Sequence, residues 1–125
     1  MKKVKLNFEA EYIRNTYWMV TIILDPSLGL LKEQVFDFMK VEGISTRPFF
    51  YPLSSLPAYV DNLSAKAAHQ KNKNSYMISP YGINLPCGLD MTEEKVTQVC
   101  NSLKKIFSCK GEDLPKKMGQ QGSDV

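Results

Sequence analysis

The sequence predicts an α/β fold of the α+β type: a two-layer sandwich with helices packed on a small mixed or antiparallel sheet. Three observations point there. One short run, TYWMVTIIL at 16–24, is β-branched and aromatic at almost every position. Two longer runs, at 30–43 and 92–107, place their apolar residues at helical spacing. Extended, proline-containing segments lie between them, which gives the order strand, helix, strand, loop, short strand, helix.

Residues 1–15 are polar and mixed, with only Val4, Leu6 and Phe8 alternating, and form an edge strand or a lead-in to the domain proper. The 16–24 strand is apolar on both faces and is expected to be covered on both. Asp25-Pro26 with Gly29 turns the chain. In the 30–43 helix, Leu31, Val35, Phe38 and Met39 make one stripe, and Lys32, Glu33, Asp37 and Lys40 take the other side. Gly43 closes it, since glycine accepts the left-handed C-terminal position at little cost.

Ile44 to Tyr51 runs extended, and Pro48, lacking an N–H, puts that strand at an edge or a bulge. Residues 53–63 hold a short helix or turn, and 64–76 form a polar loop with some helical start. INLP at 83–86 is a short strand. Thr92 caps the last helix, whose stripe is Val96, Val99, Cys100, Leu103, Ile106 and Phe107. The domain is expected to span 16–108, with 109–125 as a disordered tail.

A chain of 125 residues fits one domain, and a net charge of +3 is too weak to imply a nucleic-acid partner. The longest apolar run is far short of a membrane span, and no apolar stretch follows the basic start, so a cytoplasmic, membrane-free protein is expected. Three cysteines (Cys87, Cys100, Cys109) and the single His69 show no metal-ligand spacing, which fits reduced thiols and no metal. Cys100, in the helical stripe, is expected in the core, and His69 in solvent.

The chemistry concentrates at TRPFFYPLSSLPAY, 46–59. Arg47 is a permanent planar cation suited to carboxylate or phosphate, and prolines hold it beside Phe49, Phe50 and Tyr51. An edge strand that packs its rings and pairs Arg47 with a surface acid would look the same.

The succession NTYWMVTIILD (15–25), GISTRPFFYPLSSLPAY (43–59) and YGINLPCGLDMTEEKV (81–96) resembles the C-terminal part of the DegT/DnrJ/StrS family of pyridoxal-phosphate-dependent sugar aminotransferases, in its perosamine synthetase-like branch. In many relatives a histidine follows the proline–leucine pair; Ser54 stands there, as in the perosamine-type branch. The resemblance implies a small C-terminal α/β domain of a homodimeric fold-type I enzyme of nucleotide-sugar and polysaccharide biosynthesis. It implies a Schiff-base lysine on a large domain that precedes this region. A detached domain of this kind, whether a gene remnant or half of a split enzyme, would not bind the cofactor or transaminate by itself. It would meet a large-domain chain or a second copy, and would expose an apolar face. Arg47, with Tyr51 beside it, is then the candidate substrate-binding pair. The alternative is an autonomous ligand-binding or regulatory module that uses the same surface.

Overall fold

The computed structural model describes residues 4–108, which hold four short strands, four α-helices and three 3₁₀ turns. The strands are β1 (Val4–Leu6), β2 (Val20–Leu24), β3 (Arg47–Pro48) and β4 (Gly82–Leu85). The helices are α1 (Lys32–Val41), α2 (Leu63–Lys71), α3 (Lys73–Ile78) and α4 (Glu93–Ser108). The sheet order is β1-β2-β4-β3, antiparallel throughout, so the expected sandwich is found with an antiparallel sheet. No helix among the described residues is long and apolar enough to cross a membrane.

Cross-strand partners project to the same side of a sheet. Ile22 lies opposite Ile83, and Val20 opposite Leu85, so these residues share one face with Leu24 and Val4. There they meet Val35 and Met39 of α1 and Val99, Leu103 and Ile106 of α4 in one core. The other face carries Thr21, Ile23, Asn84 and Arg47. Only one face is covered by the α1–α4 layer, and Thr21 and Ile23 are half-buried, which corrects the expectation of a strand covered on both sides. Asn84, buried on that second face, accepts from the Thr21 hydroxyl at 2.7 Å.

β2 also begins later than expected, at Val20. Asn15 and Glu9 compete for the residues before it. The Asn15 side chain accepts from the Tyr17 N–H at 2.8 Å, Glu9 accepts from the Tyr17 hydroxyl at 2.8 Å, and Tyr17 adopts a left-handed φ of 50°. Trp18 is left exposed. Past Leu6 the outer pair is continued by a side chain: Asn7 donates to the Met19 carbonyl and accepts from the Thr21 N–H at 2.7 Å.

The turn after β2 matches expectation, with Asp25 accepting from the Ser27 N–H and Gly29 at φ 64°. α1 ends as glycine allows: Gly43, at φ 74°, donates to the Lys40 carbonyl and Ile44 to that of Met39. Val35 and Met39 of α1 are buried and Phe38 packs against the core, as expected, but the start of the stripe differs. Leu31 precedes the helix and is exposed, whereas Lys32, Val35 and Met39 are buried. At the far end, Glu42 accepts from Ser102 at 2.9 Å and Lys105 at 2.8 Å, tying α1 to α4. Lys105, then Ser102, hold the Glu42 carboxyl below the usual carboxylate range.

In α4, Thr92 accepts from the Lys95 N–H at the expected cap. The stripe is Val99, Ser102, Leu103 and Ile106, while Val96 and Cys100 are exposed, so Cys100 is not a core residue. Successive residues lie about 100° apart around a helix, so Cys100 stands beside the stripe that Val99, Ser102, Leu103 and Ile106 make rather than on it. Cys87 is also exposed, and Cys109 lies outside the described residues, as does the expected tail.

Residues 64–76 form α2 and α3 rather than a loop. The Asn62 side chain caps α2 by accepting from the Ser64 N–H, and Ala65 is its buried residue. His69 is exposed as expected, though on α2, edge-to-face with Tyr76 at 4.1 Å. Tyr76 and Ser54 share a hydroxyl–hydroxyl hydrogen bond of 2.8 Å, which anchors this helical pair to the 3₁₀ turn at Leu53–Ser55.

β3 is an edge strand, as Pro48 requires. Its last ladder bond runs from the Phe49 N–H to the Gly82 carbonyl at 3.0 Å. A Cβ on Gly82 would lie 2.5 Å from Phe49 Cβ, a near end of the side chain that cannot swing away. G82A is therefore expected to lower unfolding stability by about 1–3 kcal/mol, the usual cost of overpacking. Urea denaturation checks this; an unchanged midpoint would show that β3 and β4 are not so tightly apposed.

Candidate functional site

After Phe49 the chain leaves the sheet. Ser79 donates from its hydroxyl to the Phe50 carbonyl at 3.1 Å, and Pro52 opens the next 3₁₀ turn. Tyr51 is thereby carried back across the first turn of α1. Its ring lies over the Lys32 ammonium, with Nζ 3.9 Å from the ring centroid. A cation held against an aromatic face in this way is attracted by the ring quadrupole.

Lys32 is only 2% exposed, and among the described residues its Nζ has no hydrogen-bond partner. An ammonium normally makes three hydrogen bonds, so the aromatic contact replaces only part of what burial removes. Burial pushes the Lys32 amine below the ordinary lysine value, and the neighbouring Glu33 carboxylate partly opposes that shift. Beside the amine opens a cavity of about 290 Å³. Phe36, Pro48 and Ile83 supply its apolar wall, and the exposed carboxylates of Glu33 and Asp37 line it as well. A second cavity, near Gly43 to Thr46, shares Phe36 with the first, and there the buried Thr46 hydroxyl also lacks a partner among the described residues.

The two residues singled out from the sequence are not brought together. Arg47 sits opposite Asn84 on the sheet face turned away from α1, while Tyr51 lies on the α1 side. Arg47 is exposed, and among the described residues no ion pair reaches it. The partner that Tyr51 does have, Lys32, was missed because lysine was assigned to the polar face of α1. A signal was present: Lys32, Val35 and Met39 stand at i, i+3 and i+7.

Pyridoxal phosphate, which the resemblance implies for the parent family, does not fit these residues. The cavity offers one amine, covered by Tyr51, and two carboxylates that would repel a dianionic phosphate. The other described lysines are exposed, with no desolvated setting that would activate an amine. Among the described residues no cluster of histidine, cysteine or carboxylate side chains could hold a metal ion.

A sequence model described as the DegT/DnrJ/EryC1/StrS aminotransferase family matches residues 1–104. GDP-perosamine synthase of Vibrio cholerae is 37% identical over 106 residues, which make up 85% of this chain and 28% of that protein. GDP-perosamine synthase of Escherichia coli O157:H7 is 29% identical over 86% of this chain and 27% of its own length. dTDP-4-amino-4,6-dideoxy-D-glucose transaminase of Escherichia coli is 28% identical over 71% of this chain and 24% of its own length. The chain thus spans little more than a quarter of the length of the curated relatives it matches.

The buried amine makes a stability prediction whose sign is opposite to that of an ion pair. An unpaired buried polar group costs about 1–3 kcal/mol, and a desolvated cation–π contact returns about 0.5–2. K32M keeps the apolar stem and removes both, so it is expected to stabilise the fold by about 1 kcal/mol near neutral pH. The folded-state value lies below the unfolded one of 10.5, so between them the unfolded chain holds the extra proton. Wild-type stability therefore gains from Lys32 as pH rises through the folded-state value, and K32M lacks that gain. Urea titrations of both proteins from neutral to alkaline pH measure it. Equal stability with parallel pH profiles would mean that the amine is solvated.

Proposed function

Because the chain belongs to the DegT/DnrJ/EryC1/StrS aminotransferase family, we propose that its 125 residues supply the small-domain part of a pyridoxal-phosphate-dependent nucleotide-sugar aminotransferase of the perosamine synthase type. The cofactor lysine comes from residues outside this chain, and these residues alone do not transaminate. The observation that carries the reading is the coverage: 85% of this chain is matched, against 28% of the Vibrio cholerae enzyme. The donor set around Lys32, unsuited to the cofactor, supports the same division of labour.

A small domain of this kind needs a surface for the rest of the enzyme. Phe8, Tyr12 and Trp18 are exposed near the β1–β2 connection, and Phe50, Leu53 and Tyr59 are exposed after β3. The strand register puts these two groups at opposite ends of the sheet. Exposed rings of this size favour burial against another polypeptide. In the assembled enzyme, a large-domain chain or a second copy covers them, in the cytoplasm where nucleotide sugars are made. Arg47 is an exposed cation without an ion pair among the described residues, on the sheet face turned away from α1, and it contacts the anionic part of a nucleotide sugar, with Tyr51 bordering the cleft from the α1 side.

Borohydride reduction of the chain mixed with pyridoxal phosphate, read by intact mass, tests the division of labour. No stoichiometric pyridoxyl adduct is expected; one adduct per chain on a single lysine would put a cofactor site here and overturn the proposal. In the assembled enzyme, R47A is expected to raise the KM for the nucleotide sugar about tenfold, the loss of one charge-assisted hydrogen bond, with kcat changed less. An unchanged KM would remove Arg47 from the substrate site.

A further inference from the structure

We propose that the cavity between the start of α1 and the end of β3 binds a small amino carboxylate with an apolar body. Its carboxylate pairs with Lys32, and its ammonium group faces Glu33 and Asp37. This site is separate from the Arg47 face of the sheet and does not depend on the aminotransferase reading.

The first ground is the state of the amine. Forming an ion pair in water requires both partners to shed solvent, and that penalty cancels most of the attraction. Lys32 has already been desolvated by folding and, among the described residues, has no hydrogen-bond acceptor. An arriving carboxylate bears only its own desolvation and supplies the missing acceptors, so the pair forms at lower cost than one on the surface. Access depends on Tyr51. The residue is 52% exposed, so rotation about its own χ angles uncovers Nζ without moving the fold. The ring then becomes a wall of the site, and an ion pair replaces a cation–π contact.

The second ground is the remainder of the lining. Glu33 and Asp37 stand one turn apart on the solvent side of α1, and no ion pair reaches either among the described residues. Two unpaired carboxylates discourage phosphates and other polyanions and favour a ligand with a positive end. Phe36, Pro48 and Ile83 require an apolar body between the two charges. A volume of about 290 Å³ is at the small end for ligand cavities, which suits a molecule of amino-acid size rather than a nucleotide sugar. A zwitterion with an aromatic or aliphatic side chain meets all of these conditions.

Chemical-shift titration of the ¹⁵N-labelled full chain tests the assignment, with L-phenylalanine, 3-phenylpropionate, 2-phenylethylamine and inorganic phosphate as probes. L-Phenylalanine is expected to give saturable shifts at residues 32–37 and 48–51, with 3-phenylpropionate binding more weakly at the same place. 2-Phenylethylamine and phosphate are expected to bind at least about tenfold more weakly than L-phenylalanine, the worth of a charge-assisted contact. K32M, which is expected to be at least as stable as wild type, should lose L-phenylalanine binding by a similar factor. The double variant E33Q/D37N should bind L-phenylalanine and 3-phenylpropionate alike. The proposal is overturned if L-phenylalanine gives no saturable shifts there, if K32M binds it as well as wild type, or if phenylethylamine or phosphate binds as tightly. A preference for L-phenylalanine that survives E33Q/D37N overturns the placement of the ammonium group.

Discussion

Ile22 faces Ile83 across the central antiparallel pair, and that register decides which side chains meet the helices. With Ile83 turned toward α1, its neighbours Gly82 and Asn84 must turn away. Gly82 then leaves room for Phe49 to lie close against β4, which holds the short edge strand in place with few ladder bonds. Pro48, next in line, comes to the α1 side beside Ile83. The chain departs from the sheet at Phe50, and Tyr51 arrives over the first residue of α1. A one-residue slip would exchange the two faces and dismantle both the core and the Lys32 contact.

Within that frame Lys32 is the costly residue. Its stem fills a core-facing position at the start of α1, a role an aliphatic residue would perform more cheaply. The charge at its tip faces the Tyr51 ring and, among the described residues, has no hydrogen-bond acceptor. Local inconsistency of this kind, a buried polar group without its partners, tends to mark functional rather than structural positions. The Glu42–Ser102–Lys105 contact at the other end of α1 shows the contrasting case, in which a charged group has both a cation and a hydroxyl donor.

Much of the fold was legible in the sequence because the strongest signals were periodic or stereochemical. Gly43, Asp25-Pro26-Gly29 and Thr92 mark helix and turn boundaries through backbone chemistry that tertiary context rarely overrides. Pro48 placed its strand at an edge for the same reason. The misses share a different cause. The helix at 63–71 has no apolar stripe to announce it, only good helix-forming alanine, lysine and glutamine and an asparagine cap. The exposure of Cys100 follows from a stripe that runs through Val99, Ser102, Leu103 and Ile106 and leaves Cys100 about 100° to one side. Arg47 and Tyr51 stand four residues apart in the sequence, yet they fall on opposite sides of β3 because the strand ends between them. Lys32 belongs to the candidate site only through a ring distant in sequence, so its chemistry could be read only once α1 and β3 were placed in space.

Membership of the aminotransferase family and a coverage of about a quarter of the relatives' length set the terms of the functional account. In the proposed assembly these residues act as the small domain of a sugar aminotransferase whose cofactor lysine lies elsewhere. The most direct measurement replaces the matching quarter of the Vibrio cholerae GDP-perosamine synthase with this chain and assays formation of GDP-perosamine. A folded, cofactor-loaded chimera that turns over is the expected result. A chimera that folds and retains the cofactor but makes no product would contradict it.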